Sequence, residues 1–444
     1  MEYMIYLILP VLALAAIAPL IFPRITGWNG VAIVVAFSLL CLGSSPIVPS
    51  NTRLTVLLLT LLVLSVAYFR RPGGIEASPT RIKWVNFWIA VWFAMLILVT
   101  ALHSYPLTVL MLMAGISVCA VEICRRGCDA DRETIKYGIV VVAVAQTLIA
   151  FIELVVTHIP ILWGYGRYAD GTEVKLANPL LGPEIVRTQG TMGHPIVLST
   201  LLVIAVLIII DGGTIRTRWI KYPIFGLLAF GLLISGTRSA FVALAIAVVF
   251  SSVLHVNARD RWRNLITVLA VSGTLLIFDF GIRQIWADLV GSGSYTNRAA
   301  AISALPGLFN LNISRLLLGS GFGSENDLFQ AGYLQQNGFR IVDNQLVTTI
   351  ATNGLFGFVI LIALITVGIA KGNSLFGSAL VAMGVMMFSF DYLRWPAIAF
   401  LFFILVALGA GSTRSDLGRD ARPHAGSSNK KNADLVLARE GYVA

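Results

Sequence analysis

Long apolar runs, separated by short polar breaks, cover most of this chain. A helix needs about 20 mainly apolar residues to cross the hydrocarbon of a bilayer. Thirteen runs come close to that length: 4–22, 30–47, 53–69, 84–102, 106–124, 137–157, 195–210, 222–235, 239–256, 265–280, 345–370, 375–391 and 396–411. The run 222–235 is the shortest. Two longer polar stretches, 158–194 and 281–344, interrupt the series, and a polar tail follows Gly411. This pattern predicts an all-α fold, a polytopic membrane bundle of about 12–13 transmembrane helices with one long outer-face loop. It divides the chain into a six-span region at 1–157, a membrane core at 158–411 with outer loops 158–194 and 281–344, and a basic, disordered tail at 412–444. The pattern of Gly and Pro breaks does not repeat between halves, so the inverted-repeat signature of many transporters is missing.

Composition strengthens this picture. The chain has 444 residues, is 57% hydrophobic and only 12% charged. Soluble proteins carry about 25% charged residues. The net charge of +10 raises the question of nucleic acid. The Lys and Arg are dispersed over short loops and the tail, with no contiguous basic face, so no nucleic-acid partner is expected. Basic residues in short loops instead set orientation and touch anionic headgroups of the plasma membrane. One set of loops, with the tail, holds 22 of the 32 Lys and Arg; the other holds 10. The rich side is read as cytoplasmic, which places the N-terminus outside and the C-terminus inside. The N-terminus lacks a charged start and a small-residue cleavage site, so the first run reads as a retained span. Cys41, Cys119, Cys124 and Cys128 match no metal or redox spacing, and neither a disulfide nor a metal is expected.

The most informative residue is Arg238, in Ser235-Gly236-Thr237-Arg238-Ser239, a brief break within apolar sequence. A cation so close to hydrocarbon is costly, and such residues mark functional sites. Guanidinium binds phosphate bidentately, which makes Arg238 a candidate phosphate ligand; the plain alternative is an Arg snorkelling to headgroups. The neighbouring hydroxyls are expected to cap the helix ends on either side. Arg187 opens Arg187-Thr188-Gln189-Gly190-Thr191-Met192-Gly193-His194-Pro195. Pro195 suits a first helical turn, which holds His194 at a helix entrance where anions are favoured. Gly190 and Gly193 allow close backbone approach. In the second outer loop Arg298 precedes an apolar stretch, Ala299–Phe309, expected to form a short helix at the membrane edge. Gly319-Ser320-Gly321-Phe322-Gly323 follows, with no strand before it, so it is not read as a nucleotide fold; it can simply end one short helix and begin another. Asp343-Asn344 opens the run 345–370. Asp343 is either a helix N-cap or a general base at the outer face. Glu153 faces the first outer loop from within a span and could pair with an Arg. Asp391 and Arg394 read as an interfacial pair.

The order of these motifs resembles the O-antigen ligase and O-antigen polymerase superfamily: an Arg in an outer Ser-Gly-Thr-Arg-Ser turn, a long outer loop with Gly-Ser-Gly-Phe-Gly-Ser, then Asp-Asn ahead of Asn353-Gly354-Leu355-Phe356-Gly357. The likeness is strongest from Arg187 to Gly357; the first six spans match only in hydropathy. The resemblance implies a metal-independent, inverting glycosyltransferase at the outer face of the plasma membrane, with no cofactor. Its donor would be an undecaprenyl-diphosphate-linked glycan. Its acceptor would be a sugar hydroxyl on a glycan or lipid-glycan. Arg187, Arg238 and Arg298 would hold the diphosphate. Asp343 stands where members commonly carry His, so Asp343 or His194 would serve as base. The different-class alternative is a transporter of a lipid-linked or anionic solute, for which charges would be strung through the midplane rather than gathered at one face. A sensor or scaffold ranks last, because the tail offers no output module.

Overall fold

The computed structural model describes residues 27–69, 81–166, 173, 175–211, 214–215, 217–254, 293–336 and 341–411. The expected spans 4–22 and 265–280 and the tail 412–444 lie outside the described residues. The other eleven expected spans each coincide with a helix. They are α1 (Trp28–Gly43), α2 (Ser50–Phe69), α3 (Arg81–Leu102), α4 (Thr108–Arg126), α5 (Asp129–Ile152), α6 (Pro195–Asp211), α7 (Arg218–Ser235), α8 (Arg238–Leu254), α13 (Gln345–Lys371), α14 (Ser374–Met386) and α15 (Pro396–Gly411). Four short helices, α9 (Gly293–Ser303), α10 (Leu305–Phe309), α11 (Ile313–Leu318) and α12 (Glu325–Gln330), lie in the long polar stretch 281–344. The polar stretch 158–194 holds a small antiparallel pair, β1 (Ala177–Asn178) with β2 (Gly182–Val186). The protein is an all-α polytopic membrane bundle. Among the described residues, six helices are long and apolar enough to span a membrane, and five more are shorter apolar helices.

Apolarity on every side marks a helix for the centre of such a bundle. All sixteen residues of α15 are buried, and α6 is buried from Pro195 to Ile209. Around them, α2, α3 and α7 turn large apolar side chains outward, among them Leu58, Trp84 and Trp219. Polar contacts fix the alternation of the helices. At one end, Gly30 donates to Asp131 (2.9 Å), Arg132 to the Gly411 carbonyl (3.0 Å), and Ser251 meets Ser374 (2.5 Å). At the other, Thr191 donates to the Cys41 carbonyl (2.8 Å) and Gln345 N–H to Met387 O (2.8 Å). These contacts join the helix ends that the up-and-down reading places on the same side.

Three elements depart from expectation. Helix α5 starts at Asp129 rather than near 137, because Asp131 and Cys128 form a capping box. Helix α14 stops at Met386 instead of reaching 391, so 387–395 folds back over the bundle end and carries Phe390, Asp391 and Trp395 inward. Helix α13 is broken at Gly354 (φ 66, ψ −172), a backbone state essentially reserved for glycine. The glycine-rich segment explains the break. Ser320 N–H donates to Ala351 O (2.9 Å) and Gly321 N–H to Thr352 O (3.0 Å), which satisfies carbonyls near the break. A Cβ on Gly319 or Gly354 would strike the facing backbone. The Gly-x-Gly-x-Gly run is therefore a dock for a broken helix. Asn344, not Asp343, caps α13, accepting from Leu346 N (3.0 Å) and Val347 N (3.2 Å).

Candidate functional site

The polar residues singled out above gather at the bundle end where α7 meets α8 and where α6 and α13 begin. The turn between α7 and α8 is the foundation. Gly236 (φ 63) terminates α7, and a side chain there would collide with Asn178 and crowd Arg187. Asn178 is fully buried, and its Nδ2 donates to Leu233 O and Ile234 O (3.1 Å each). Its Oδ1 accepts from Leu180 N (2.9 Å) and Leu181 N (3.2 Å), which seats the β1–β2 hairpin on the turn.

Arg187 leaves that hairpin and is held by the same turn. Its Nε donates to Ser235 O (2.8 Å) and one terminal nitrogen to Thr237 Oγ1 (2.7 Å). The Ser-Gly-Thr hydroxyls were expected to cap helices. Instead Thr237 orients Arg187, and Ser235 donates to Leu232 O (2.7 Å). Arg187 is half-buried. Burial, reinforced by Arg298 and Arg238, pushes its guanidinium down to about 10, which leaves it charged at neutral pH. Arg238 begins α8 and reaches Pro179 O at 3.5 Å, a marginal contact that leaves the guanidinium available.

The downstream segment, 188–194, is fastened by buried polar side chains. Glu153, buried in a π-turn after α5, accepts from Gly190 N (2.9 Å) and Gln189 N (3.2 Å). Glu153 could have paired with an Arg; its partners are these backbone amides. Gln146 and Thr191 bond reciprocally, at 2.6 and 3.0 Å. His194 follows, its ring stacked on Phe390 (centroids 4.9 Å apart, 25° between planes) and close to Trp395 (5.8 Å). Its Nδ1 accepts from Ile196 N (3.2 Å). The proton of the neutral ring then belongs on Nε2. Burial, with Arg187 and Arg298 nearby, pushes the ring's pKa down to about 3. His194 is thus a neutral donor at neutral pH, and its basic nitrogen is already engaged.

The polar stretch 281–344 supplies Arg298 and Asp343. Both are half-buried and near enough to influence one another. Burial lowers the Arg298 pKa while Asp343 raises it. The Arg298 Nε is buried and has no hydrogen-bond acceptor among the described residues. Asp343 Oδ2 accepts from Asn297 Nδ2 (2.8 Å). Burial raises the Asp343 pKa above the usual carboxylate value, opposed by the Asn297 bond and by Arg298. One step further, Arg394 pairs with Glu325 (3.3 Å) and Asp391 (3.6 Å). Asp391 is buried and raised to about 7 chiefly by that burial, with Asp343 and Glu325 adding to it and Arg394 opposing. The expected Asp391–Arg394 pair therefore has a third member.

Arg187 lies within electrostatic reach of Arg238 and Arg298, His194 of Arg187 and Arg298, and Arg298 of Asp343, so these five form one electrostatically connected group. The sequence did not point to Asn297, Asn178 or Thr237, which position them. Their role rests on burial and packing that the sequence does not display: Asn178, for example, is fully buried within a loop otherwise half exposed. No family model matches this chain, and no curated protein matches it.

Proposed function

We propose that this protein is a membrane glycosyltransferase. It would transfer or polymerise an undecaprenyl-diphosphate-linked glycan onto a sugar hydroxyl at the outer face of the plasma membrane, as a polysaccharide polymerase or ligase. The observation that carries this reading is the gathering of three guanidiniums from distant stretches of sequence: Arg187 lies within electrostatic range of both Arg238 and Arg298, and Arg298 within range of Asp343. A diphosphate leaving group gains negative charge as the sugar–phosphate bond breaks. Preplaced guanidiniums in a water-poor site stabilise that charge without reorganising. Arg298 has a buried Nε with no acceptor among the described residues, a hydrogen bond it can give to a phosphate oxygen. Arg187 is aimed in advance by Ser235 and Thr237.

Asp343 is the better candidate base. Its raised pKa moves it toward the operating pH, which favours proton abstraction from an acceptor hydroxyl. His194, neutral with Nδ1 occupied, is suited to donate a hydrogen bond from Nε2 to a substrate oxygen. The reaction needs no metal or nucleotide in this scheme: attack by the acceptor oxygen inverts the anomeric carbon, the proton passes to Asp343, and undecaprenyl diphosphate departs.

The break in α13 favours a second reading, since discontinuous helices form transporter sites. Against it, the carbonyls of Ala351 and Thr352 are already taken by Ser320 and Gly321, and the arginine cluster lies at one end of the bundle rather than at its middle. Replacing Arg187 or Arg238 by Ala in cells decides between them. We expect glycan assembly to be lost while membrane insertion is unchanged; wild-type glycan levels in both variants contradict the proposal.

A further inference from the structure

A groove of about 320 Å³ opens on the side of the bundle between α3 and α13. Its walls include Trp84, Trp88, Ile360, Ala363 and Val367, and Lys371 stands at one end. Ala363 is the small residue among bulky neighbours. Helix α13 begins at the arginine cluster and ends at Lys371, 27 residues on. At 1.5 Å per residue that separates the groove's charged end from the cluster by roughly 40 Å. The groove therefore belongs to the opposite membrane face and is not part of the donor site.

The geometry points to a binding site for one anionic phospholipid, with an acyl chain along the apolar wall and the headgroup phosphate on Lys371. Three observations favour this occupant. The walls are apolar and face outward, where only lipid or another helix can lie. Lys371 is exposed at the groove's end, and Lys83, also exposed, precedes Trp84 on the opposing helix, so the site's charge complements a phosphate. Trp84 is 65% exposed and Trp88 43%, at the level where indole rings settle among headgroups.

Native mass spectrometry of the full chain, released from micelles containing equal phosphatidylglycerol and phosphatidylcholine with matched acyl chains, tests the site. The wild type should retain one phosphatidylglycerol in preference. A juxtamembrane lysine favours an anionic lipid about fivefold, so Lys371→Gln should cut the preference by about that factor. Ala363→Phe should expel both lipids by filling the groove. Matched circular dichroism of the variants confirms folding, and Lys371→Gln, a change at an exposed position, keeps the test decisive if Ala363→Phe misfolds. Equal retention of the two lipids, an unchanged preference in Lys371→Gln, or a dimer that Ala363→Phe dissociates (a second copy occupying the groove) overturns the assignment.

Discussion

Arg187 shows how much a single side chain here depends on its neighbours. Its two hydrogen bonds need a planar fork, which Lys cannot supply. Arg187→Lys should retain the charge yet lose about a hundredfold in kcat, the usual scale for one lost transition-state donor. Thr237→Val removes only the orienting hydroxyl and should cost about tenfold, in line with a hydrogen bond to a charged group. The pH profile reports on Asp343. A base must be deprotonated, and burial has raised this pKa, so activity should fall on the acid side above the ordinary carboxylate range. Asn297 hydrogen-bonds to the charged form and lowers the pKa. Asn297→Ala should therefore shift the acid limb to higher pH, measured as kcat against pH. A limb that stays in place removes Asp343 from the role of base.

At the scale of elements, the break in α13 is a feature built by two distant segments. Asn353-Gly354 is a turn-favouring pair, but a helix can absorb it, and Thr348–Gly357 does not by itself fix a break. The break arises because 319–321 docks against it, which no local pattern announces. The same blindness hid the partners of Glu153: backbone N–H groups carry no sequence signature. Asp343 and Asn344 were ambiguous for a different reason, since both are good N-caps and they stand side by side. Gly354→Ala should cost about 1–3 kcal/mol in backbone strain alone, and more through collision with Leu317 O. Gly323 (φ 92) provides the comparison, because a Cβ there meets nothing within 4 Å. Unfolding temperatures should fall further for Gly354→Ala than for Gly323→Ala. Equal losses would mean that the docking contributes no stability.

For the whole molecule, the spans were legible because lipid permits so few spanning solutions: backbone groups must be satisfied internally and side chains must be apolar. The arginines were legible because charge beside hydrocarbon is too costly to keep without cause. Sequence could not show that the arginines converge, since convergence depends on how α6, α7 and α13 pack. The basic bias of the loops also carries a testable orientation. With the native cysteines replaced, Ser314→Cys should react with an impermeant maleimide on intact cells, while Asp129→Cys should react only after permeabilisation. The reverse result would put the arginine cluster in the cytosol and remove its proposed substrate.

The most direct test of glycosyl transfer uses purified protein in vesicles, supplied with a synthetic undecaprenyl-diphosphate oligosaccharide and followed by mass spectrometry. The account predicts a lengthened or transferred glycan together with free undecaprenyl diphosphate, and neither product from Arg298→Ala. A donor that stays intact with wild-type protein and every acceptor offered, or that crosses the bilayer unchanged, contradicts it.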